Sequence, residues 1–146
     1  MAKPTRTKKN GFQGQFEAFN LVNFVLFQGR AMVYVNHCDI VETFPHIRKE
    51  FNRISLMSYF FDLIIKSTSL GQNQDRLFDL LVETLRKAND LSLTCEGLTT
   101  EFHTQFLHTE GLHPSLNLLV DEEEFCQIFE HYTGRKVQKP TQIRPV

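Results

Sequence analysis

Two clusters of basic residues are the groups in this sequence best suited to bind a polyanion. The first lies within residues 1–10, which contain no acid; its cations are Lys3, Arg6, Lys8 and Lys9. The second lies within residues 135–146, again without an acid; its cations are Arg135, Lys136, Lys139 and Arg144. All 17 acidic residues lie between these ends, so the net charge of −1 conceals a strong asymmetry. Such segregation is typical of an arm that binds a polyanion, although charged, solvated termini are common in other proteins too.

Aromatic residues follow the first basic cluster. The chain contains 14 Phe, 3 Tyr and no Trp, and its first phenylalanines are Phe12, Phe16, Phe19, Phe24 and Phe27. Exposed rings beside cations can stack against the bases of a single strand. Aromatic residues in strands more often belong to a core, and we expect this for most of these five. Phe12 and Phe16 adjoin the basic arm and are the pair most expected to be exposed.

The sequence contains no pattern typical of a catalytic or metal site. Its six histidines form no H-E-x-x-H motif, and Cys38, Cys95 and Cys126 form no C-x-x-C pair. The acids at 121–124 fit the start of a helix and lack the spacing of a calcium loop. We therefore expect no enzyme activity, no metal and no cofactor, with cysteines that stay reduced in the cytoplasm.

The overall composition is that of an ordinary globular protein. Of its 146 residues, 41% are hydrophobic and 23% are charged, which suits one domain or slightly more. No stretch approaches the ~18 apolar residues of a membrane span. The basic N-terminus lacks the apolar region of a secretory signal.

Two antiparallel strands are predicted near the start of the chain. Residues 16–27 and 31–41 are rich in aromatic and β-branched residues. Gly29 lies between them and is expected to adopt the positive φ of a tight hairpin. A hairpin alone is marginal in water, so further strands or a helix should cover it.

Four helices are predicted after the strands. The first starts near Pro45 and ends by Gly71; one face carries Ile47, Phe51, Ile54, Ser58, Phe61 and Ile65. Because its other faces are also apolar, we expect burial on most sides. The second covers about 73–89 and the third about 91–110, with Gly111 ending the third. The fourth begins at the N-cap Asp121 and stops at Gly134. The predicted class is α+β.

Several segments, in the same order along the chain, resemble the RecO family of bacterial recombination mediators. Residues 2–30 are similar to the family stretch K-G-x-R-x-x-K-S-x-x-G-x-L-x-P-F; the matches are Lys3, Arg6, Lys8, Lys9 and Phe19. Residues 37–64 are similar to E-x-x-E-x-F-x-x-L-R-x-D-L-x-R-x-x-x-A-x-Y-x-x-E-L; the matches are Glu42, Phe44, Ile47, Arg48, Phe51, Arg53, Tyr59 and Leu63.

Later segments extend the resemblance. Residues 76–90 are similar to L-F-x-L-L-x-x-x-L-x-x-L. Residues 101–116 are similar to F-E-x-x-L-L-x-x-L-G-Y-x-P-x-L; the matches are Phe102, Gly111 and Pro114. Residues 128–143 are similar to the closing L-x-x-Y-L-G-R-x-L-K-S-x-x-F-L segment; the matches are His131, Gly134, Arg135 and Lys139.

The resemblance implies two domains. Residues 1–44 would form a partial OB-like β segment with a basic N-terminal arm, and residues 45–146 a helical domain with a basic C-terminal tail. The first two strands of the family's OB-fold have no counterpart here, so the chain is expected to start partway through that domain. The family's zinc-binding cysteines also have no counterpart, so no metal is carried over.

The resemblance further implies a mediator of DNA repair and recombination. Such a protein binds single- and double-stranded DNA, anneals strands and helps load the recombinase. Its implied partners are a RecR-like protein and the acidic C-terminal tail of single-strand-binding protein, without a membrane or a small-molecule substrate. Its implied location is the bacterial cytoplasm, at the nucleoid.

The site residues follow from the charge pattern and the resemblance together. Those expected to bind DNA are Lys3, Arg6, Lys8, Lys9, Phe12, Phe16 and Arg30. Those expected to contact a partner or phosphates are Arg135, Lys136 and Lys139. The alternative is a helical protein-interaction adaptor that lacks useful DNA affinity. An adaptor would tolerate alanine at the N-terminal cations, whereas a DNA binder would lose affinity and salt sensitivity.

Overall fold

The computed structural model describes residues 16–69, 71–113 and 119–139. Within these ranges two strands precede four helices: β1 (Leu21–Gln28), β2 (Val33–Glu42), α1 (Phe51–Ser67), α2 (Asp75–Asn89), α3 (Cys95–Thr109) and α4 (Glu122–Thr133). The chain is α+β, which confirms the predicted class. No helix in these ranges is both long enough and apolar enough to cross a membrane.

The chain divides into two compact units, one ending at Thr43 and the other beginning at Phe44. The strands belong to the first unit and the helices to the second. The OB-like character of the first unit and the domain boundary after residue 44 remain predictions.

The first unit is an antiparallel hairpin. Leu21 lies opposite Glu42 and Gln28 lies opposite Val33, with irregularities after Leu21 and after Val25. Both strands begin later than predicted, at Leu21 and Val33. At the turn the Gly29 amide donates a hydrogen bond of 3.0 Å to the Met32 carbonyl, which closes the hairpin.

Gly29 is needed at this turn because it has no side chain. The predicted positive φ is wrong, because Gly29 is not among the described glycines that adopt one. A Cβ atom on Gly29 would lie 2.8 Å from Cε2 of Tyr34 and 2.9 Å from the Met32 carbonyl oxygen. Both distances are shorter than a carbon atom tolerates, so the close approach of the two strand ends excludes a side chain.

Helix α1 buries a different face from the predicted one. Phe51 and Ile65, both on the predicted inner face, are exposed. The buried residues are instead Arg53, Leu56, Met57, Tyr59, Phe60 and Leu63. Because both faces carry apolar residues, spacing alone could not identify the one that packs on other helices. Only Phe51, Ser58 and Ile65 of α1 are exposed, so the helix is at least partly buried on most sides, as expected.

The predicted ends of α1 also need correction. Pro45 lies in a turn followed by a 3-10 turn at Ile47–Lys49, and α1 itself begins only at Phe51. Its C-cap is Thr68, whose backbone is extended, so the helix stops before Gly71. Gly71 does adopt a positive φ, but in the loop that follows.

Helix α3 begins later than predicted and ends where expected. The Thr94 side chain accepts a hydrogen bond of 3.1 Å from the Gly97 amide, and this N-cap leaves Leu91 outside the helix. At the other end Gly111 has φ +71°, and the following amide, of Leu112, donates to the Leu107 carbonyl at 2.8 Å. This is the glycine-dependent helix stop that the sequence predicts.

Helix α4 has both predicted ends. The Asp121 carboxylate accepts a hydrogen bond of 2.8 Å from the Glu124 amide, and three glutamates occupy the first turn. Gly134 ends the helix with φ +66°. These features are set within one turn of chain, which is why the sequence predicted them correctly.

Aromatic rings from three helices form the centre of the second unit. Phe60 of α1 stacks on Phe102 of α3 at a centroid distance of 4.0 Å. His103 of α3 stacks on Phe125 of α4 at 3.7 Å with nearly parallel planes. In α2, Leu77, Leu85 and Ala88 are buried, whereas Phe78 is exposed.

Candidate DNA-binding and partner-binding surfaces

Two of the residues predicted to bind DNA lie within the described part of the chain. These are Phe16 and Arg30. The other five lie outside the described residues: Lys3, Arg6, Lys8, Lys9 and Phe12. Their predicted role stays a prediction.

Phe16 and Phe24 form an exposed aromatic pair in the first unit. Phe16 is 55% exposed, and its ring stacks on that of Phe24 at a centroid distance of 5.7 Å with an angle of 18° between planes. Phe24 and Phe27 are also exposed, so the expectation that most of the early phenylalanines are buried is wrong for these rings. The pair offers an aromatic surface of the kind on which an unpaired base can stack.

Arg30 lies at the tip of the hairpin. It is exposed and lies in the turn between Gln28 and Val33. Phe24 lies four residues before the end of β1, so about 13 Å of strand separates it from the tip. The hairpin therefore presents an aromatic pair and a cation at separate positions along its length.

Three cations meet where α1 and α4 end. The Arg135 guanidinium donates to the Lys66 carbonyl at 3.3 Å, and the Lys66 ammonium donates to the Lys136 carbonyl at 3.1 Å. Asp62 forms an ion pair with Lys66 at 2.6 Å, while Arg135 and Lys136 are exposed. Cations are favoured at helix C-termini because they complement the helix dipole. Lys66, Arg135 and Lys136 are called the C-terminal basic patch below.

The third predicted contact residue, Lys139, lies elsewhere. After α4 the chain turns back, and the Val137 amide donates to the Glu130 carboxylate at 3.0 Å. Lys139 then pairs with Glu122, in the first turn of α4, at 3.1 Å. The hydrogen bond and charge of Glu122 raise the pKa of Lys139 above its ordinary value. The structure thus joins Arg135 and Lys136 but separates Lys139 from them.

Lys66 was missed in the sequence analysis. It occupies the last turn of α1, and a cation there is a usual feature of helix ends. Its proximity to Arg135 and Lys136 arises from a contact across about 70 residues of sequence. The one signal for Lys66 in the sequence is its position in the last turn of a predicted helix, where cations are favoured.

The second unit contains a buried, hydrogen-bonded pair of titratable residues, Tyr59 and His103. The Tyr59 hydroxyl and Nε2 of His103 share a hydrogen bond of 2.9 Å. Burial lowers the pKa of His103 to about 3. Burial is also the main cause that raises the pKa of Tyr59 above its ordinary value. Neither group is poised to exchange a proton near neutral pH, as a general acid or base must be. Within the described residues no group of three or more candidate ligands could hold a metal ion.

Comparison with known proteins identifies relatives for this chain. The family described as "Recombination protein O C terminal" matches residues 48–122, all within the second unit. The protein named "DNA repair protein RecO" from Alkaliphilus metalliredigens (strain QYMF) is 31% identical over 120 residues, covering 82% of this chain and 49% of that protein. The protein of the same name from Thermoanaerobacter sp. (strain X514) is 24% identical over 139 residues, covering 94% and 56%.

A third relative extends this agreement. "DNA repair protein RecO" from Pelotomaculum thermopropionicum is 36% identical over 86 residues, covering 59% of this chain and 32% of that protein. The chain spans about half the length of the first two relatives. No solved structure matches the chain. Since the family match covers half of the chain and begins in the residues that lead into α1, this protein belongs to the recombination protein O C-terminal family.

Proposed function

We propose that this chain is a non-enzymatic mediator of DNA repair and recombination. In this function it binds single- and double-stranded DNA in the cytoplasm, promotes strand annealing and helps load the recombinase. Its membership in the recombination protein O C-terminal family carries the proposal. The relatives named for DNA repair support the same process.

The DNA surface is assigned to the first unit. The exposed Phe16–Phe24 pair supplies a stacking platform, and Arg30 supplies a cation at the hairpin tip. The N-terminal cations Lys3, Arg6, Lys8 and Lys9 neutralise further phosphates. Stacking and phosphate neutralisation are the two contributions by which proteins hold single strands without sequence preference.

The partner surface is assigned to the second unit. The C-terminal basic patch receives the acidic C-terminal tail of single-strand-binding protein, because Arg135 forms charge-assisted hydrogen bonds with carboxylates. Lys66 is already paired with Asp62, so Arg135 and Lys136 carry most of the attraction. A RecR-like protein is the second proposed partner. Lys139 contributes less, since Glu122 already neutralises it.

Fluorescence anisotropy of a labelled single-stranded oligonucleotide tests the DNA-binding function. We expect binding whose log–log salt slope is about −3 to −6, which corresponds to about four to eight phosphates. Alanine at all four N-terminal cations should make the slope shallower by about 3. No binding at low salt would contradict the proposal and favour the adaptor, whose only activity would be to contact partners.

Substitution of Phe16 separates stacking from charge. Phe16→Ala should weaken binding about fivefold or more, since one stacked base contributes about 1–3 kcal/mol, and it should leave the salt slope unchanged. Phe78→Ala is the matched control, because Phe78 is also 55% exposed but lies in the second unit. Equal affinities for these two variants would contradict the role of the aromatic pair.

A further inference from the structure

The second unit contains an open cleft between α1, the first half of α3 and the start of α4. Its volume is 560 Å³, which is within the usual range of ligand-binding pockets. Tyr59, His103 and Val120 are buried residues that line it, while Glu96, Asp121 and Glu122 are exposed lining residues. These six residues define what is called the acidic cleft below.

The buried side of the cleft is well ordered by contacts within the helical core. The Tyr59–His103 hydrogen bond fixes both rings, and His103 is held further by its stack on Phe125. The Val120 amide donates to the Thr104 hydroxyl at 3.1 Å, which holds the segment before α4 against α3. The lining is therefore preformed and does not need a ligand to assemble it.

The charge of the cleft is negative. Glu96, Asp121 and Glu122 supply three carboxylates, and His103 adds no positive charge because burial lowers its pKa to about 3. Burial raises the pKa of Tyr59, and the negative charges around it, which include Glu122 and Asp62, raise it further. An acidic peptide would be repelled here, so this surface differs from the C-terminal basic patch.

One carboxylate of the cleft already pairs with a cation of the chain. Lys139, which is not itself a lining residue, forms an exposed ion pair with Glu122 at 3.1 Å. Leu119, another lining residue, is 70% exposed and offers an apolar contact beside the carboxylates. The cleft thus combines a site for a cation with a site for an aliphatic side chain.

We propose that the acidic cleft binds a peptide segment of a partner protein in which an arginine or lysine lies next to an aliphatic residue. The cation pairs with Glu96 and Glu122, and the aliphatic side chain packs on Leu119 and Val120. Lys139 competes with the incoming cation for Glu122 and so limits affinity. This proposal does not depend on DNA binding, and its test contains no DNA.

Anisotropy of three labelled peptides tests the proposal on the full chain. The probes are an alternating Arg-Leu hexapeptide and its Glu-Leu and Gln-Leu counterparts. We expect binding of the Arg-Leu peptide alone. Glu96→Gln and Glu122→Gln should each weaken it by about two- to fivefold, the range of exposed charge pairs. Glu124→Gln is the control, because it removes the same charge from the first turn of α4 outside the cleft.

Removal of Lys139 provides the sharper measurement. Lys139→Ala should tighten binding by about two- to fivefold because it frees Glu122. Lys136→Ala removes an equal charge from the C-terminal basic patch and should change affinity less. If the two substitutions changed the affinity equally, only the net charge of the protein would attract the peptide, and the proposal would be overturned. The proposal would also be overturned if deletion of residues 140–146 raised the affinity for the Arg-Leu peptide while Lys139→Ala did not. That result would assign the cleft to the chain's own C-terminal segment.

Discussion

At the scale of single residues, His103 is a titratable side chain that the fold removes almost completely from water. Its ring lies between Phe125, stacked at 3.7 Å, and Tyr59, which contacts it edge-on at 5.8 Å. It is buried, and desolvation therefore lowers its pKa to about 3 from an ordinary 6.5. The folded protein keeps the neutral imidazole in a pH range where the unfolded chain binds a proton.

This difference predicts an acid-dependent loss of stability. Below pH 6.5 the unfolded state takes up a proton at His103 that the folded state accepts only near pH 3. The free energy of unfolding should therefore fall by up to about 1.4 kcal/mol per pH unit, or about 2 kcal/mol between pH 7 and pH 5. Urea denaturation at pH 7, 6 and 5 measures it.

The comparison needs two variants. His103→Gln removes the titrating group and should lose less stability between pH 7 and pH 5 than the wild type. His131→Gln changes an exposed histidine and should behave as the wild type does. The same loss in all three proteins would show that His103 does not carry the effect.

At the scale of the elements, Arg53 ties α1 to the end of α2 and to the loop before α3. Its buried guanidinium donates hydrogen bonds to the Ala88 carbonyl at 2.6 Å, the Leu93 carbonyl at 2.8 Å and the Glu50 carboxylate at 2.9 Å. The two carbonyls belong to segments about 35 to 40 residues away. Burial of this charge is tolerated because its donors are paired.

Arg53→Met should therefore destabilise the protein strongly. The aliphatic volume is retained, but the two carbonyls lose their donors, at a cost of about 3 kcal/mol in the free energy of unfolding. The midpoint of chemical denaturation measures this change. Arg76→Met is the matched control at an exposed position of α2 and should shift stability by less than about 0.5 kcal/mol. If both variants unfold at the same midpoint, the three hydrogen bonds contribute little.

At the scale of the whole molecule, the two units differ sharply in how much apolar surface they bury. Within the described residues, the buried hydrophobic side chains lie in the second unit, apart from Cys38. The hairpin exposes apolar residues along both strands, including Leu26, Phe27 and Val33. A two-stranded sheet without a covered face contributes little stability by itself.

A fragment of residues 44–146 should therefore fold alone. We expect the fragment to unfold cooperatively, with a denaturation midpoint close to that of the full chain. A peptide of residues 16–43 should lack a strand signal in circular dichroism. Loss of the cooperative transition in the fragment would mean that the helical core depends on the first unit.

The sequence by itself determined the local features of this protein. The N-cap at Asp121 and the glycine stops at Gly111 and Gly134 were predicted correctly, because each depends on hydrogen bonds within one helical turn. The family resemblance was also readable, since its motifs are short patterns in a fixed order. The α+β class followed from the change of hydrophobic period along the chain.

The tertiary structure alone decided which helix faces are buried and which charged residues lie together on the surface. Spacing could not choose the buried face of α1, since two of its faces are apolar. It could not bring Lys66 to Arg135 or Lys139 to Glu122, because those contacts join residues far apart in sequence. Gly29 is required by the close approach of the Met32 carbonyl oxygen and the Tyr34 ring at the turn, which only the folded hairpin shows. Pairings of this kind depend on how the helices and strands pack, and packing is a property of the folded chain as a whole.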